Sequence, residues 1–263
     1  MTLREGAVSP VLVADAGGVR TLTLNNPRQR NALDLAMREC LATELGAAMV
    51  EPGVRVVVLT GAQGTFCAGG DVSTMRRQSV DEARRRLGAA QAVTRAIVDG
   101  AKPVVAAVEG YAIGAGLGIA AACDRLVVAA DAQLSTSFTT IGLLGDLGVF
   151  WSLPRRVGAY RARQMLLMPT QLSGAEAFEI GLADRLSQPG LALDAAMTDA
   201  RVLAAGPPLA LAAAKAMLNH GPSDLHAILD REVEDQAQLF ATADFAEGLA
   251  ALRERRAPRF DGR

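Results

Sequence analysis

Short apolar runs rich in β-branched residues alternate, along the first half of this chain, with longer stretches whose apolar positions recur at helical spacing. That alternation predicts an α/β core with right-handed crossovers between strands. Residues 11–25, VLVADAGGVRTLTLN, read as two strands joined at Ala16-Gly17-Gly18, a hairpin at the sheet edge. A turn-rich loop with two arginines follows, and Asp34 then caps an expected amphipathic helix from Leu35 to about Val50. Further strands are expected at residues 54–60, Val104–Val108 and Arg125–Ala129, with an arginine-rich helix over 79–99 between the first two. From Ala159 onward helices dominate, at 159–167, 173–180, 191–205, 208–219, 223–240 and 243–255, interrupted by one strand at 183–186.

The stretch PVVAAVEGYAIGAGLGIAAACD, residues 103–124, stands out from this pattern. Its strand gives way to a turn at Glu109-Gly110-Tyr111, and then Gly114, Ala115, Gly116 and Gly118 leave almost no side chain in the way of an approaching molecule. If these small residues open a helix, their N–H groups are the unsatisfied donors of its first turn, and the helix dipole adds partial positive charge there. Such a segment suits an oxyanion; the same spacing also suits two helices packed closely. A dinucleotide site is disfavoured, because no acidic residue closes a second strand at the usual distance and the glycines lie far from the N-terminus.

Composition narrows the choice further. At 263 residues the chain can bury a full core, with half its residues hydrophobic and a fifth charged. A net charge of −1 gives no electrostatic reason to expect a nucleic-acid or membrane partner. Only Lys102 and Lys215 are lysines, so nearly all positive charge is arginine. Cys40, Cys67 and Cys123 show neither CxxC spacing nor a disulfide framework, so a cytoplasmic, reducing environment is expected. The opening MTLREGAVSPVLV lacks the pattern of a secretory leader, and no apolar run has the length of a membrane span. With His220 and His226 as the only histidines, both in the helical C-terminal part, neither a His-based metal site nor a Ser/His triad is expected.

Four phrases together resemble the crotonase, or enoyl-CoA hydratase/isomerase, superfamily: NxPxxRNAL at 25–33, LTGxxxxFCAGGD at 59–71, KPVxAAVxGxAxGAGxxxAxxCD at 102–124, and DFAEGLAALRERRAPRF at 244–260. The resemblance spans nearly the whole chain in family order. It implies an α/β spiral of ββα units with a C-terminal helical region: a core over 1–204 that binds acyl-CoA, and helices over 205–263 that assemble a homo-oligomer, a trimer or hexamer, and cover the site. It implies an oxyanion hole made by the amides of Gly70 and Ala115, in which a CoA thioester carbonyl is held while an enolate-like intermediate forms. Coenzyme A then enters as part of the substrate, and no separate cofactor or metal is expected. Arg30, Ala68, Asp71 and Arg255 fall where the family meets CoA. For Arg30 a solvated loop charge, for Asp71 a helix cap and for Arg255 an exposed helix face are the competing roles.

The departures from the family pattern carry as much information. Hydratases of this family use two glutamates, and the aligned positions here hold Gly118 and Phe138. Neither transfers a proton, so ordinary hydration is not expected. Asp146 remains as a candidate base, set in GLLGDLG among Leu143, Leu144, Leu147 and Val149, where apolar neighbours raise a carboxylate pKa; the alternative is a cap on a helix beginning at Leu147. Phenylalanine for glutamate, the later aspartate and WSLPR at 151–155 are similar to the 1,2-epoxyphenylacetyl-CoA isomerases. The expected activity is acyl-CoA isomerisation with Asp146 as proton shuttle. The alternatives are a hydratase or hydrolase using Glu109, and a non-catalytic acyl-CoA binder.

Overall fold

A computed structural model describes residues 9–263 of the chain. The reading of a leader-free N-terminus falls in part on residues 1–8, outside the described residues.

Two sheets carry the core. The larger has six strands in the order β1 (Val11–Ala16), β2 (Val19–Leu24), β3 (Val56–Gly61), β4 (Val104–Val108), β6 (Arg125–Ala129) and β9 (Arg185–Ser187). The β1–β2 pair is antiparallel, and every other neighbour in the sheet is parallel. The side chains of β4 are buried throughout and those of β3 nearly so, as their unbroken apolar runs require of strands covered on both faces. The hairpin, its turn and the Arg125–Ala129 strand lie where the sequence places them.

A second sheet, β5 (Tyr111–Ile113), β7 (Gln133–Ser135) and β8 (Leu172–Ser173), was not legible in the sequence. These strands are two or three residues long, too short to show a period of two. Residues 111–113, read as part of the turn and the opening of the glycine-rich segment, are therefore a strand, and β8 as well as β9 interrupts the C-terminal helices. The chain passes from β4 to β5 through Gly110, whose φ is +59° and where a Cβ would stand 2.5 Å from the Gly64 carbonyl oxygen.

Helices α1 (Leu35–Val50) and α2 (Val80–Val98) pack against each other and connect β2 to β3 and β3 to β4. Asp34 caps α1 by accepting from the Met37 amide at 2.7 Å, and Ser79 and Glu82 form a reciprocal capping box at the start of α2. Helix α3 (Ala115–Ala122) is buried along its entire length. It leads to Asp124, whose carboxylate accepts from the Val104 amide and from the buried Lys215 ammonium, each at 2.7 Å. Asp124 thus closes the α3–β6 connection and ties it to the C-terminal region.

Helix α4 (Val149–Leu167) breaks at Gly158, where φ is +76°, so the separate helix expected from Ala159 is its second half. Then come α5 (Gly174–Glu179), α6 (Ala192–Ala204), α7 (Pro208–His220), α8 (Leu225–Phe240) and α9 (Ala243–Glu254). Alanines 192, 196, 200 and 204 form the buried stripe of α6 against the sheet, whereas α8 buries no residue. Val233, Phe240 and Leu252 on the last two helices are exposed apolar side chains. No single helix among the described residues is long and apolar enough to cross a membrane.

Candidate active site

The residues following β3 are held from both sides by backbone hydrogen bonds. On one side the Cys67 amide donates to the Tyr111 carbonyl (2.7 Å) and the Ile113 amide to the Cys67 carbonyl (3.0 Å), so the loop runs alongside β5. On the other, the Leu33 amide donates to the Gly69 carbonyl (2.7 Å) and the Asp71 amide to the Leu33 carbonyl (3.3 Å). Among the described residues, the Gly70 amide lying between these bonds has no acceptor. The Ala115 amide, at the first position of α3, has none either, as the geometry of a helix start requires. The two segments approach closely: a Cβ on Gly69 would stand 2.7 Å from the Ile113 carbonyl oxygen and 3.8 Å from the Ala115 nitrogen. Two free backbone donors on neighbouring segments, one backed by a buried helix, can hold a carbonyl oxygen as negative charge develops on it.

Asp146 lies in the segment before α4, which packs on α3 at Gly118. Leu147 and Gly148 both take left-handed backbone, with φ of +53° and +74°, and the turn lays the Asp146 and Leu147 backbone over α3. There the Asp146 carbonyl oxygen is 3.2 Å, and the Leu147 Cβ 3.1 Å, from the position a Cβ on Gly118 would take. The Asp146 side chain is 23% exposed, and its Oδ1 is buried with no partner. Burial pushes the Asp146 carboxyl above the usual aspartate range; Arg38 and, less strongly, Arg86 oppose this. Of the four apolar neighbours named from the sequence, Leu147 and Val149 are buried and Leu143 and Leu144 are exposed. Nor does Asp146 cap α4: that helix starts after Gly148 with no side-chain cap, and only the Asp146 carbonyl meets its first amide, at 3.2 Å.

Phe138 lies against the same segment. Its ring carbons are 3.7 Å from a Cβ position on Gly114 and 3.4 Å from one on Gly145. The resemblance assigns the second glutamate of the hydratases to the position Phe138 holds, and the group there is an apolar ring. At Gly118, the position it assigns to the first, a Cβ would press on Leu147 and the Asp146 carbonyl at 3.1 and 3.2 Å. A Gly118→Glu protein is expected to gain no hydration of crotonyl-CoA, and urea unfolding should show a loss of about 1 to 3 kcal/mol from overpacking against Asp146 and Leu147.

Glu109 is far less available than the sequence reading allowed. Its carboxylate accepts from the Ala192 amide (2.7 Å) and the Gly190 amide (3.1 Å), so it caps the start of α6. Glu109→Ala is expected to keep turnover and to lose about 1 kcal/mol of stability in urea unfolding. Turnover abolished in a protein of nearly wild-type stability would return Glu109 to the chemistry.

The remaining expected contacts divide. Arg30 has left-handed backbone, its carbonyl accepts from the Ala68 amide (3.0 Å), and its guanidinium lies 5.0 Å from the centre of the Tyr111 ring. Arg30 and Ala68 are thus brought together with Gly70 and β5. Asp71 is buried, and its Oδ1 accepts from the Ser73 amide (2.9 Å) and hydroxyl (2.6 Å), capping a short turn; its side chain is occupied as a cap. Arg255 is exposed at the end of α9, and no hydrogen bond or ion pair of its side chain joins it to the other named residues. Cys67 lies below the loop with its thiol pushed up to about 12 by burial, which makes it inert at neutral pH.

Arg38 was missed. It is buried on α1 and its Nη1 lies 3.9 Å from Asp146 Oδ2. A signal existed: Arg38, Leu41, Leu45 and Ala48 fall on one helical stripe, and an arginine on an apolar stripe needs a partner.

Comparison with known proteins bears on all of this. The family model described as "Enoyl-CoA hydratase/isomerase" matches residues 15–263. A Rhodobacter capsulatus protein named "Probable enoyl-CoA hydratase" is 37% identical over 94% of this chain and 95% of its own length. The 1,2-epoxyphenylacetyl-CoA isomerase of Escherichia coli is 33% identical over 94% of this chain and 96% of its own. Among solved structures, an enoyl-CoA hydratase from Bacillus anthracis superimposes with a TM-score of 0.92 at 32% identity, covering 97% of this chain and 100% of that one.

Proposed function

The chain belongs to the enoyl-CoA hydratase/isomerase family, and from that premise we propose that it is an acyl-CoA isomerase whose single proton-transferring group is Asp146. The observation that carries this reading is the carboxylate pattern around the paired amides. Gly118 and Phe138 stand where hydration needs two acids, and one half-buried carboxylate with an unpartnered oxygen remains.

The thioester carbonyl oxygen accepts from the Gly70 and Ala115 amides. Asp146 takes a proton from the carbon next to the thioester, the electron pair moves into the carbonyl as an enolate, and the same carboxyl returns the proton further along the acyl chain. The double bond moves and no water is added. On a ring-epoxide substrate, of the kind named for the Escherichia coli relative, the same carboxyl assists ring opening. Arg30 and Ala68 line the approach of the CoA moiety, and α2 walls the acyl side through Thr94, whose Cγ2 is 2.9 Å from a Cβ position on Gly148. The exposed apolar side chains of α8 and α9 support contact between copies of this chain in a trimer or hexamer, and three unpaired thiols suit the reducing cytoplasm.

Hydration is the second reading, favoured by the hydratase names of several relatives. Mass spectrometry of the products from trans-3-hexenoyl-CoA, crotonyl-CoA and enzymatically generated epoxyphenylacetyl-CoA separates the two. A shifted double bond or opened ring supports isomerisation, a hydroxyacyl product supports hydration, and binding without turnover points to an acyl-CoA binder.

A further inference from the structure

Arg38 has no part in the mechanism above, yet it is the most deeply buried charge beside it, at 3% exposure. Its Nε reaches the Leu33 carbonyl at 3.4 Å, and its Nη1 meets no hydrogen-bond acceptor among the described residues. On one side Nη1 lies 3.9 Å from Asp146 Oδ2; on the other, Nη2 lies 3.4 Å from the position of a Cβ on Gly70. The guanidinium therefore stands between the loop that supplies one free amide and the carboxylate that supplies the proton transfer.

A buried guanidinium and a buried carboxylate are each costly alone, and each here keeps an unpartnered atom. Removal of either leaves the other as an uncompensated charge. The charged groups facing Asp146 are Arg38 from α1 and Arg86 from α2; α3 presents Gly118, and the segment itself presents Leu147 and Val149.

We propose that Arg38 is a positioning residue for Asp146: fixed by α1 and by Leu33, it anchors the carboxylate as an anion and aims it beside the Gly70 and Ala115 amides. The inference rests on the reading of Asp146 as the proton-transferring group. Arg38 acts through Asp146 and needs no contact with substrate. Its loss removes the nearer of two positive charges, so Asp146 holds its proton to higher pH and the base becomes available later in a titration.

The test is the pH dependence of kcat/KM for trans-3-hexenoyl-CoA in the wild-type chain and in Arg38→Met, Arg38→Lys and Asp146→Asn. Arg38→Met is expected to move the ascending limb to higher pH by about 1 to 3 pH units, and Arg38→Lys to restore most of that displacement. Carbon-13 NMR of the Asp146 carboxyl, assigned by its loss in Asp146→Asn, should give the same displacement without any turnover. A limb and carboxyl titration unmoved in Arg38→Met, with kcat lowered by one factor at every pH, would overturn the proposal and leave Arg38 a support of the fold. Equal displacement in Arg38→Lys and Arg38→Met would overturn it too, since charge would not be what matters. Asp146→Asn turning over at the wild-type rate overturns the underlying reading instead, whatever the Arg38 variants do.

Discussion

Asp146→Asn is expected to lower kcat for double-bond migration by roughly 10²- to 10⁴-fold, the usual contribution of a positioned acid–base group, while KM changes little. The amide keeps the size of the carboxylate, and the Asp146 backbone that covers α3 is untouched, so the thioester seat stays formed. What is lost is the carboxylate to which proton transfer is assigned above. The wild-type profile also has a predicted direction. Burial raises the Asp146 carboxyl above the ordinary aspartate range, and a base works only when ionised. Activity should therefore fall with falling pH at a point above that of a free aspartate, and the Asn variant should lose that limb. Retention of wild-type kcat in Asp146→Asn, measured by steady-state kinetics on trans-3-hexenoyl-CoA, would remove Asp146 from the chemistry.

The second large effect is expected at Ala115. Its amide is the first of α3, and proline is tolerated at that position because the N–H makes no intrahelical bond. The preceding Gly114, with φ of +53° and ψ of −114°, already holds an extended-type mirror conformation that only glycine adopts at little cost. Ala115→Pro thus deletes one donor and places a ring carbon where its hydrogen pointed. One oxyanion donor contributes about 3 kcal/mol to transition-state stabilisation. kcat is expected to fall by on the order of 10²- to 10³-fold, with thermal unfolding close to that of the wild type. A folded Ala115→Pro protein of undiminished kcat would show that the carbonyl is held elsewhere. The two variants test separate halves of the site: Asp146→Asn should leave acyl-CoA binding intact, and Ala115→Pro should weaken it as well.

Much of this site was legible because its signals are local. Gly69 and Gly116 mark places where backbone approaches backbone: a Cβ there would stand 2.7 Å from the Ile113 carbonyl oxygen and 2.4 Å from the Cys67 carbonyl oxygen, respectively. The apolar runs of β3 and β4, the Gly17-Gly18 turn and the Asp34 cap each act within a few residues, so periodicity and turn chemistry sufficed to place them. The loss of both glutamates is likewise a property of the sequence, and with it the expectation that ordinary hydration is absent.

What the sequence left open was decided by contacts between distant segments. The sequence favoured Asp146 as a base over a helix cap; the left-handed turn at Leu147 and Gly148 starts α4 at Val149 with no side-chain cap, so capping that helix is not the role of its carboxylate. Glu109 read as a possible acid until α6, packed on the sheet, brought the Gly190 and Ala192 amides to it. Of the two roles read for Asp71, the structure shows the cap, with Oδ1 accepting from the Ser73 amide and hydroxyl. Arg38 on α1 and Asp146 in the segment before α4 are 108 residues apart in sequence and meet only in the folded chain. Periodicity, turns and caps are fixed by neighbours along the chain, so the sequence determined the main sheet, most of the helices and the glycine-rich helix start; the partner of a charge is fixed by packing, so only the tertiary structure decided that Arg38 lies beside Asp146 and that Glu109 caps α6.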